Sequence, residues 1–276
     1  MTILQTDFGQ VEFLEFGEEG CGRVAILLHA AATGPGSLAR LGKIIGGAGY
    51  RVVVPALHRY GETRVVEEGS PLERNRRVAN WVLETFAGEK TMVFGQSMGG
   101  LTAVLTALSP ARAIDGLILY EPMVMRALDP DDPVDMRERD WDRALVDAVE
   151  RALGTDREET AIAAFIEAWN EASWKDIPAS ARETILRDAS GLARETRAVN
   201  DDGYSPLDLE GLTVPTLLLG GDTSPALAGR ILDRLERKLP NTRREILAGL
   251  GHMGPVMAPS RVAEVILEHL EWKPVG

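Results

Sequence analysis

The chain has 276 residues, of which 45% are hydrophobic and 26% are charged, values typical of a folded globular protein rather than of a disordered chain. Its formal net charge of −12 argues against nucleic acid or an anionic membrane as a main partner, because phosphate binding needs a basic surface. The single cysteine excludes an internal disulfide framework, and neither a secretory signal nor a membrane-spanning run is recognisable, so we expect a cytoplasmic protein.

Short apolar or alternating segments recur along the chain and predict strands over 10–16, 23–29, 50–56, 91–94, 114–120, 215–219 and 243–247. The first of these alternates and is expected at a sheet edge. Helices are predicted over 37–48, 70–86, 98–109, 226–239 and 260–272. Strands and helices in alternation predict a parallel sheet with helices on both faces.

One region interrupts this alternation. Over 123–204 we find helical patterns without strands, at 139–153, 157–170, 179–188 and 191–199. We therefore predict a core of residues 1–122 and 205–276 and a helical cap, or lid, inserted at 123–204. The aspartates of 129–135 are expected to form a solvated turn rather than a calcium loop.

The strongest local motif is Gly95-Gln96-Ser97-Met98-Gly99, between a short apolar strand and a predicted helix. A serine on a very tight strand-to-helix turn is forced into strained backbone geometry, which exposes its hydroxyl above the sheet edge. The positions two before and two after the serine must be tiny, and both are glycine. The turn also places the Met98 amide beside Ser97 Oγ, where an oxyanion would form. Ser97 is therefore the predicted nucleophile.

With this motif the chain resembles the α/β-hydrolase family over nearly its whole length. The resemblance implies a mostly parallel eight-stranded sheet with flanking helices and an inserted helical cap. It also implies an oxyanion loop after the third strand, which here reads His-Ala-Ala-Ala-Thr-Gly over 29–34, with alanine where the family usually has glycine. By position the Ala31 amide is the expected second oxyanion donor, with a shift by one residue left open. His29 is expected to be structural.

A serine hydroxyl is a weak nucleophile at neutral pH and needs a base. Among the four histidines, His252 directly follows the last predicted strand, in a glycine-flanked loop suited to reach over the sheet toward Ser97. His269 belongs to the pattern of the terminal helix. The order of nucleophile first and histidine last is that of the family, and we assign His252 as the base.

The third member should be a carboxylate that orients the imidazole and stabilises its protonated form. Glu121 stands at the carboxyl end of the strand over 114–120, where catalytic groups gather in such folds. Asp222 follows the next strand, where most of the family carries its acid, but it is displaced by two residues and Ser224 stands at the matching position. Haloalkane dehalogenases and zearalenone-type lactonases carry glutamate at the first position, and the latter look most similar. We predict Glu121, with Asp222 as the alternative.

These residues predict a serine hydrolase that cleaves a carboxylic ester or lactone through an acyl-enzyme, with no metal or organic cofactor, since the nucleophile is the protein's own. Ala32, Trp174 and His58 are expected to contact the substrate. Three alternatives stay open: a carbon–carbon bond hydrolase, a cofactor-free peroxidase, and a non-catalytic ligand-binding protein. The expected partner is a small-molecule ester or lactone, and homodimer formation stays open.

Overall fold

The structure is a computed structural model and describes residues 1–170, 172–201 and 207–271. The β-strands within these residues are β1 (Thr2–Thr6), β2 (Gly9–Phe16), β3 (Arg23–Leu28), β4 (Arg51–Pro55), β5 (Arg64–Val65), β6 (Lys90–Gln96), β7 (Gly116–Tyr120), β8 (Thr216–Gly221) and β9 (Thr242–Leu247). The α-helices are α1 (Ala39–Gly47), α2 (Pro71–Phe86), α3 (Met98–Ala107), α4 (Pro133–Ala152), α5 (Glu158–Trp169), α6 (Ala179–Arg187), α7 (Ala189–Asn200), α8 (Ala226–Lys238), α9 (Gly254–Met257) and α10 (Pro259–Glu271). In this part of the chain, no helix is both long enough and apolar enough to cross a membrane.

The strands form one sheet in the order β1-β2-β4-β3-β6-β7-β8-β9, with β5 paired to β2. Neighbours from β4 through β3 to β9 are parallel, whereas the pairs made by β2 are antiparallel. This arrangement confirms the predicted fold class, a mostly parallel sheet flanked by helices. The central strands are apolar along their whole length because helices cover both of their faces.

The edge of the sheet differs from the sequence prediction. The strand expected at the edge is β2, but β1 pairs along its outer side. The sequence does not indicate β1, because its side chains are mostly exposed and show no apolar pattern. It does not indicate β5 either, which has two residues. Both strands are stabilised by backbone pairing, which leaves little trace in side-chain periodicity.

Most predicted helices are present with shifted ends. The first begins as a 3₁₀ turn over Pro35–Leu38 before α1. At the start of α2, the Glu73 amide donates to Ser70 Oγ at 3.3 Å, and the Ser70 amide donates to the Glu73 carboxylate at 2.7 Å. These reciprocal bonds are the predicted capping box. The terminal helix is observed as α10, and its predicted last residue, Trp272, lies outside the described residues.

Buried apolar side chains fill both faces of the sheet. Because successive strand residues point to opposite faces, Ile26 and Leu119 pack with α2, α3 and α8, whereas Leu27 and Ile118 pack with α1 and α10. The two layers of core hold the carboxyl ends of the parallel strands in fixed relative positions. Those ends carry the predicted nucleophile, base and acid.

Helices α4 to α7 lie between β7 and β8, the position at which the sequence predicts a helical cap. We call the described residues from 125 to 200 the helical insert. It has an apolar cluster of its own, which includes Val149, Ile162, Ile166, Trp174 and Leu192. The predicted return to the core between 204 and 205 falls outside the described residues.

The aspartate-rich turn before α4 is solvated only in part, since Asp131 is exposed whereas Asp135 is not. Asp135 is fully buried, and the Asp132 and Asp135 carboxylates accept hydrogen bonds of 2.5–2.6 Å from Arg230 and Arg234. This charged clamp joins α4 of the helical insert to α8 of the core. The arginines lie 95 to 102 positions along the chain from the aspartates, so no local pattern indicates the pairing.

Candidate active site

Ser97 is the single residue between β6 and α3, and its backbone is strained. Its φ of 55° and ψ of −120° lie in a region that residues other than glycine rarely adopt. The Ser97 amide donates to the Tyr120 carbonyl at 3.0 Å, and the Ser97 carbonyl accepts from the Met123 amide at 3.1 Å. Hydrogen bonds to the end of β7 therefore hold the tight turn that the sequence predicts.

The glycines on either side of Ser97 make this turn sterically feasible. A Cβ atom at Gly95 would lie 2.4 Å from the carbonyl oxygen of Gly99, and one at Gly99 would lie 2.3 Å from that of Leu28. A Cβ at Gly100 would meet Pro122 at 2.6 Å. Strand and helix can therefore approach closely enough to form the turn only when these side chains are absent.

His252 lies in the loop after β9 and is 5% exposed. The loop is tied to the neighbouring strand ends: Gln96 Nε2 donates to the His252 carbonyl at 2.8 Å, and Tyr120 Oη donates to the Gly251 carbonyl at 2.7 Å. The imidazole lines the same cavity as Ser97. In the described part of the chain no hydrogen bond joins Ser97 Oγ to the ring.

Glu121 directly follows β7 and is 1% exposed. Its Oε2 lies 2.8 Å from His252 Nδ1, while Oε1 accepts from the Gly221 amide at 2.7 Å and from Ser224 Oγ at 2.5 Å. Three donors thus satisfy a carboxylate that is removed from solvent, as a buried acid requires. Ser224, which stands where most of the family has its acid, here hydrogen-bonds the acid supplied by the adjacent strand.

The alternative acid lies elsewhere. Asp222 is exposed, and its Oδ1 accepts a hydrogen bond from the Gly249 amide at 2.6 Å. It does not cap α8 either, whose N-cap position is Pro225. The structure therefore brings Glu121, and not Asp222, to the imidazole of His252.

A cavity of about 570 Å³ lies between the helical insert and the carboxyl end of the sheet. Five of the predicted site residues line it: Ala31, Ala32, Ser97, Met98 and His252. The other lining residues are mostly apolar and include three carboxyl groups, those of Asp142, Asp176 and Glu195, and two uncharged amides, those of Asn170 and Asn200. No lysine or arginine is among the described residues that line it. Within those same described ranges, no group of three or more His, Cys, Asp or Glu side chains is arranged to hold a metal ion.

Hydrogen bonding distinguishes the amides near Ser97. The Ala32 amide donates to Tyr60 Oη at 2.7 Å and is therefore engaged. The Ala31 amide makes no hydrogen bond with another described residue, and the amide of Met98, the first residue of α3, has no intrahelical acceptor. Of these three amides, those of Ala31 and Met98 are thus without a hydrogen-bond partner among the described residues.

His29 is fully buried beneath this loop. Its Nδ1 lies 2.8 Å from the Ala30 carbonyl, and its Nε2 accepts from the Leu57 amide at 3.1 Å. Burial lowers the pKa of His29 to about 4, so the ring is neutral at physiological pH. These contacts agree with the structural role expected from the sequence.

The structure does not place His58 and Trp174 at the cavity, and the expectation that they contact substrate is corrected accordingly. His58 Nδ1 accepts from the Val65 amide at 3.1 Å, and burial lowers the pKa of His58 to about 4. The Trp174 ring packs inside the helical insert, and its Nε1 donates to Glu159 at 3.0 Å. The partners lie seven positions away for His58 and fifteen for Trp174, and no helix or strand periodicity indicates either pairing.

The helical insert contributes an aromatic wall beside His252. The rings of Trp169 and His252 have centroids 4.7 Å apart and planes inclined by 50°. Trp169 Nε1 donates to Asp142 Oδ1 at 2.8 Å, and Asn200 Nδ2 donates to the other oxygen of that carboxyl at 2.7 Å. Burial raises the pKa of Asp142. The imidazole is therefore covered by a side chain whose own orientation is fixed by a buried acid.

Sequence reasoning does not single out Glu195, a buried acid of α7 that lines the cavity. A signal for it exists, because Leu192, Glu195, Thr196 and Val199 follow the spacing of one helix face. An acidic residue beside Leu192 and Val199 on that face indicates a buried carboxyl group. Tyr60, which hydrogen-bonds to it, lies in a loop without any comparable pattern.

The sheet order, the strained serine turn and the histidine loop after the last strand together define an α/β-hydrolase fold. Residues 25–265 match the model of the alpha/beta hydrolase family, and the chain belongs to that family. Solved structures with this fold include an esterase from Exiguobacterium antarcticum, 16% identical with a TM-score of 0.77 and covering 98% of this chain and 99% of that one. Another is a thermophilic esterase from Thermogutta terrifontis, 22% identical with a TM-score of 0.70 and covering 98% of both. At these identities the likeness shows the fold.

Curated relatives match a smaller part of the chain. A 2-hydroxy-6-oxononadienedioate/2-hydroxy-6-oxononatrienedioate hydrolase from Paraburkholderia phymatum is 32% identical over 111 residues, 38% of each protein. A hydrolase of the same name from Cupriavidus pinatubonensis is 33% identical over 117 residues, 40% of each. The match therefore spans well under half of the relatives' length.

Proposed function

We propose that this protein is a serine hydrolase that cleaves a carboxylic ester or lactone through an acyl-enzyme. The observation that carries the proposal is the placement of Ser97 and His252 on one cavity, with His252 Nδ1 2.8 Å from the buried Glu121 carboxylate. A nucleophile, a base and an acid that orients the base are the set required for acyl transfer by serine.

In the proposed mechanism, Ser97 Oγ attacks the substrate carbonyl while His252 takes the hydroxyl proton. Glu121 keeps the imidazole in the tautomer with a proton on Nδ1 and stabilises the imidazolium that forms. The amides of Ala31 and Met98 donate to the oxyanion of the tetrahedral intermediate. His252 then returns the proton to the leaving alcohol. Water then attacks the acyl carbonyl while His252 takes its proton; the bond from the acyl carbon to Ser97 Oγ breaks, His252 returns the proton to Ser97 Oγ, and the acid leaves.

Covalent labelling tests the nucleophile. A fluorophosphonate probe is expected to label the wild-type protein once, on the peptide that contains Ser97, and Ser97→Ala is expected to lose both the labelling and the hydrolysis of p-nitrophenyl esters. Ser109→Ala, at an exposed serine just beyond α3, is the matched control and should behave as the wild type. Labelling that persists in Ser97→Ala would show that another residue is the nucleophile.

A carbon–carbon bond hydrolase is the second candidate, and the curated relatives named above favour it. The cavity favours an ester or lactone instead. A dioate substrate such as those in the relatives' names carries two carboxylates, which need cationic or donor groups when they are buried. The described lining of this cavity has no lysine or arginine, and its donors, such as Asn170 and Asn200, are uncharged, so two buried carboxylates would have no cationic partner there.

The two candidates are separated by paired assays on one preparation. Loss of the dienol absorbance of a 2-hydroxy-6-oxo-dienedioate would report carbon–carbon cleavage, and release of p-nitrophenol would report ester cleavage. We expect turnover of the ester and none of the dioate above the rate of Ser97→Ala. Turnover of the dioate with a higher kcat/KM than any ester would decide for the second candidate.

A further inference from the structure

Glu195 connects the helical insert to the core by a buried hydrogen bond. It lies on α7, is 2% exposed, and its Oε2 accepts from Tyr60 Oη at 2.7 Å. Tyr60 belongs to the loop after β4. The neighbouring Arg59 pairs with Asp188 at the start of α7. The same loop and the same helix are therefore joined twice, once by an ion pair and once by Glu195.

Tyr60 also contacts the oxyanion loop, residues 29–34. Its hydroxyl oxygen accepts the hydrogen bond of the Ala32 amide at 2.7 Å while its proton goes to Glu195. The Tyr60 ring also packs edge-on against His29, with centroids 4.6 Å apart. One phenol thus contacts the oxyanion loop both at its first residue and at Ala32.

Ala32 needs such a restraint. Its φ of 62° is left-handed, which costs an alanine about 1–2 kcal/mol relative to its preferred conformations. The hydrogen bond that the Ala32 amide donates to Tyr60 Oη offsets part of this cost and fixes the plane of the peptide between Ala31 and Ala32. The orientation of that peptide plane constrains where the preceding amide, that of Ala31, points.

We propose that Tyr60 is a positioning residue for the oxyanion donor at Ala31, and that Glu195 holds Tyr60 in place from the helical insert. This inference rests on the proposed function. In this arrangement the Ala32 amide bonds to Tyr60, and the Ala31 amide bonds to the developing oxyanion. The Tyr60 hydroxyl therefore determines which of the two successive amides faces the reacting carbonyl.

The protonation states suit this role. Burial raises the pKa of Glu195 to about 8, against the lowering effect of the hydrogen bond from Tyr60; of the nearby charges, Asp188 raises the pKa, whereas Arg59 and Arg194 lower it. Burial and the adjacent carboxyl also raise the pKa of Tyr60. At neutral pH the phenol therefore keeps its proton for Glu195 and its oxygen for Ala32, and no net charge is placed beside the oxyanion.

Three variants of the full chain test the proposal, with p-nitrophenyl butyrate as substrate and benzeneboronic acid as a mimic of the tetrahedral intermediate. Tyr60→Phe is expected to lower kcat by about 10–100-fold, less than complete removal of an oxyanion donor, with KM changed less than about threefold. The affinity for the boronic acid should fall by the same factor as kcat. A role confined to folding would not produce this parallel loss with an unchanged KM.

The Glu195 variants separate hydrogen bonding from charge and size. Glu195→Gln keeps an oxygen that accepts the Tyr60 proton and should retain kcat within about threefold. Glu195→Leu removes the acceptor and should lose kcat toward the level of Tyr60→Phe. Because both residues act through one chain of hydrogen bonds, Tyr60→Phe combined with Glu195→Leu should be no slower than Tyr60→Phe alone.

The outcomes that overturn the proposal are distinct from those that overturn the proposed function. An active wild type whose Tyr60→Phe variant keeps its kcat and its boronic acid affinity contradicts the proposal alone, as does a double variant whose losses are additive. A wild type that hydrolyses no ester and binds no fluorophosphonate contradicts both. If Tyr60→Phe does not fold, the proposal is tested by the kcat values of the two Glu195 variants. Equal kcat values for Glu195→Gln and Glu195→Leu would contradict it.

Discussion

Glu121 is a buried carboxylate at the end of one strand that contacts groups from two other parts of the sheet edge, the end of β8 and the loop after β9. β7 and β8 are adjacent and parallel, so a side chain at the end of one reaches groups at the end of the other. Glu121 projects from the end of β7, and Ser224 and the Gly221 amide of the β8 end donate to its carboxylate. A carboxylate carried by β7 must reach across the spacing between β7 and β8, whereas an aspartate at the end of β8 would not. The longer side chain of glutamate makes this reach possible.

Replacement of the two carboxylates tests which of them orients His252. Glu121→Gln keeps the shape but loses the charge that stabilises the imidazolium, so we expect kcat for an ester to fall by about 10³–10⁴. Asp222→Asn changes an exposed group that bonds the Gly249 amide and should leave kcat within about threefold. Steady-state kinetics of both variants provide the test, and a larger loss in Asp222→Asn would reassign the acid.

The raised pKa of Glu195 predicts that the stability of the folded protein depends on pH. Its pKa rises from the usual 4.5 to about 8 on folding, so between these values the folded protein binds a proton that the unfolded chain has lost. The free energy of unfolding should therefore fall as pH rises from about 4.5 to 8, by about 1.4 kcal/mol per unit of pKa difference. Below and above this window the contribution of Glu195 is constant.

Urea unfolding of the wild type and of Glu195→Gln at pH 5 and pH 8.5 isolates this contribution, because the other titrating groups are common to both proteins. The wild type should lose several kcal/mol more than the variant between the two pH values. Equal losses would mean that Glu195 is ionised in the folded protein at neutral pH.

At the scale of elements, the turn from β6 to α3 depends on backbone approach. Gly99→Ala would place a Cβ 2.3 Å from the Leu28 carbonyl oxygen, so we expect a destabilisation of at least about 1–3 kcal/mol and loss of fluorophosphonate labelling. Gly229→Ala on α8 meets nothing within 4 Å and is the matched control. It should raise the free energy of unfolding by about 0.5–1 kcal/mol, as measured by urea denaturation.

The charged clamp between α4 and α8 is expected to contribute to the stability of the protein. Asp135→Ala leaves Arg230 and Arg234 without their buried partner and should cost about 3–5 kcal/mol of stability. Arg137→Ala, on the same helix, removes a side chain that is 71% exposed and should change stability by less than about 0.5 kcal/mol. Thermal denaturation compares the two variants, and equal effects would show that the clamp contributes no more than a surface pair.

The sequence predicts well those elements that are determined by residues close to one another in the chain. The central strands are apolar because both faces are covered, α2 begins at a capping box, and the turn at Ser97 requires glycine on both sides, so each leaves its pattern within a few residues. β1, the burial of Trp174 and the pairing of Asp135 with arginines about 100 positions away depend on partners from elsewhere in the chain. For the site, the nucleophile turn and the histidine loop are local, whereas the choice between Glu121 and Asp222 depends on which carboxylate reaches the ring.

At the scale of the whole molecule, charge should select among substrates. The net charge of −12 disfavours an anion through its field, and a described cavity lining without lysine or arginine disfavours it through the cost of desolvation. We expect p-nitrophenyl pentanoate to have a kcat/KM at least about tenfold above that of p-nitrophenyl hydrogen glutarate, an ester of similar length that carries one carboxylate.

Salt separates the two causes of this preference. The part due to the field of the whole molecule should shrink between low salt and 0.5 M sodium chloride, where the Debye length falls to about 3–5 Å, and the part due to the cavity should persist. Equal kcat/KM for the two esters at low salt would contradict the prediction.

The contact between Trp169 and His252 has a consequence for the timing of turnover. The indole is carried by α5, whereas the imidazole belongs to a loop tied to the ends of β6 and β7. An excursion of α5 wide enough to release a product would separate the two rings and admit bulk solvent around the base. Each catalytic cycle would then alternate between a sealed stage, in which protons move, and an open stage, in which molecules are exchanged, and the emission of Trp169 would report the passage from one to the other.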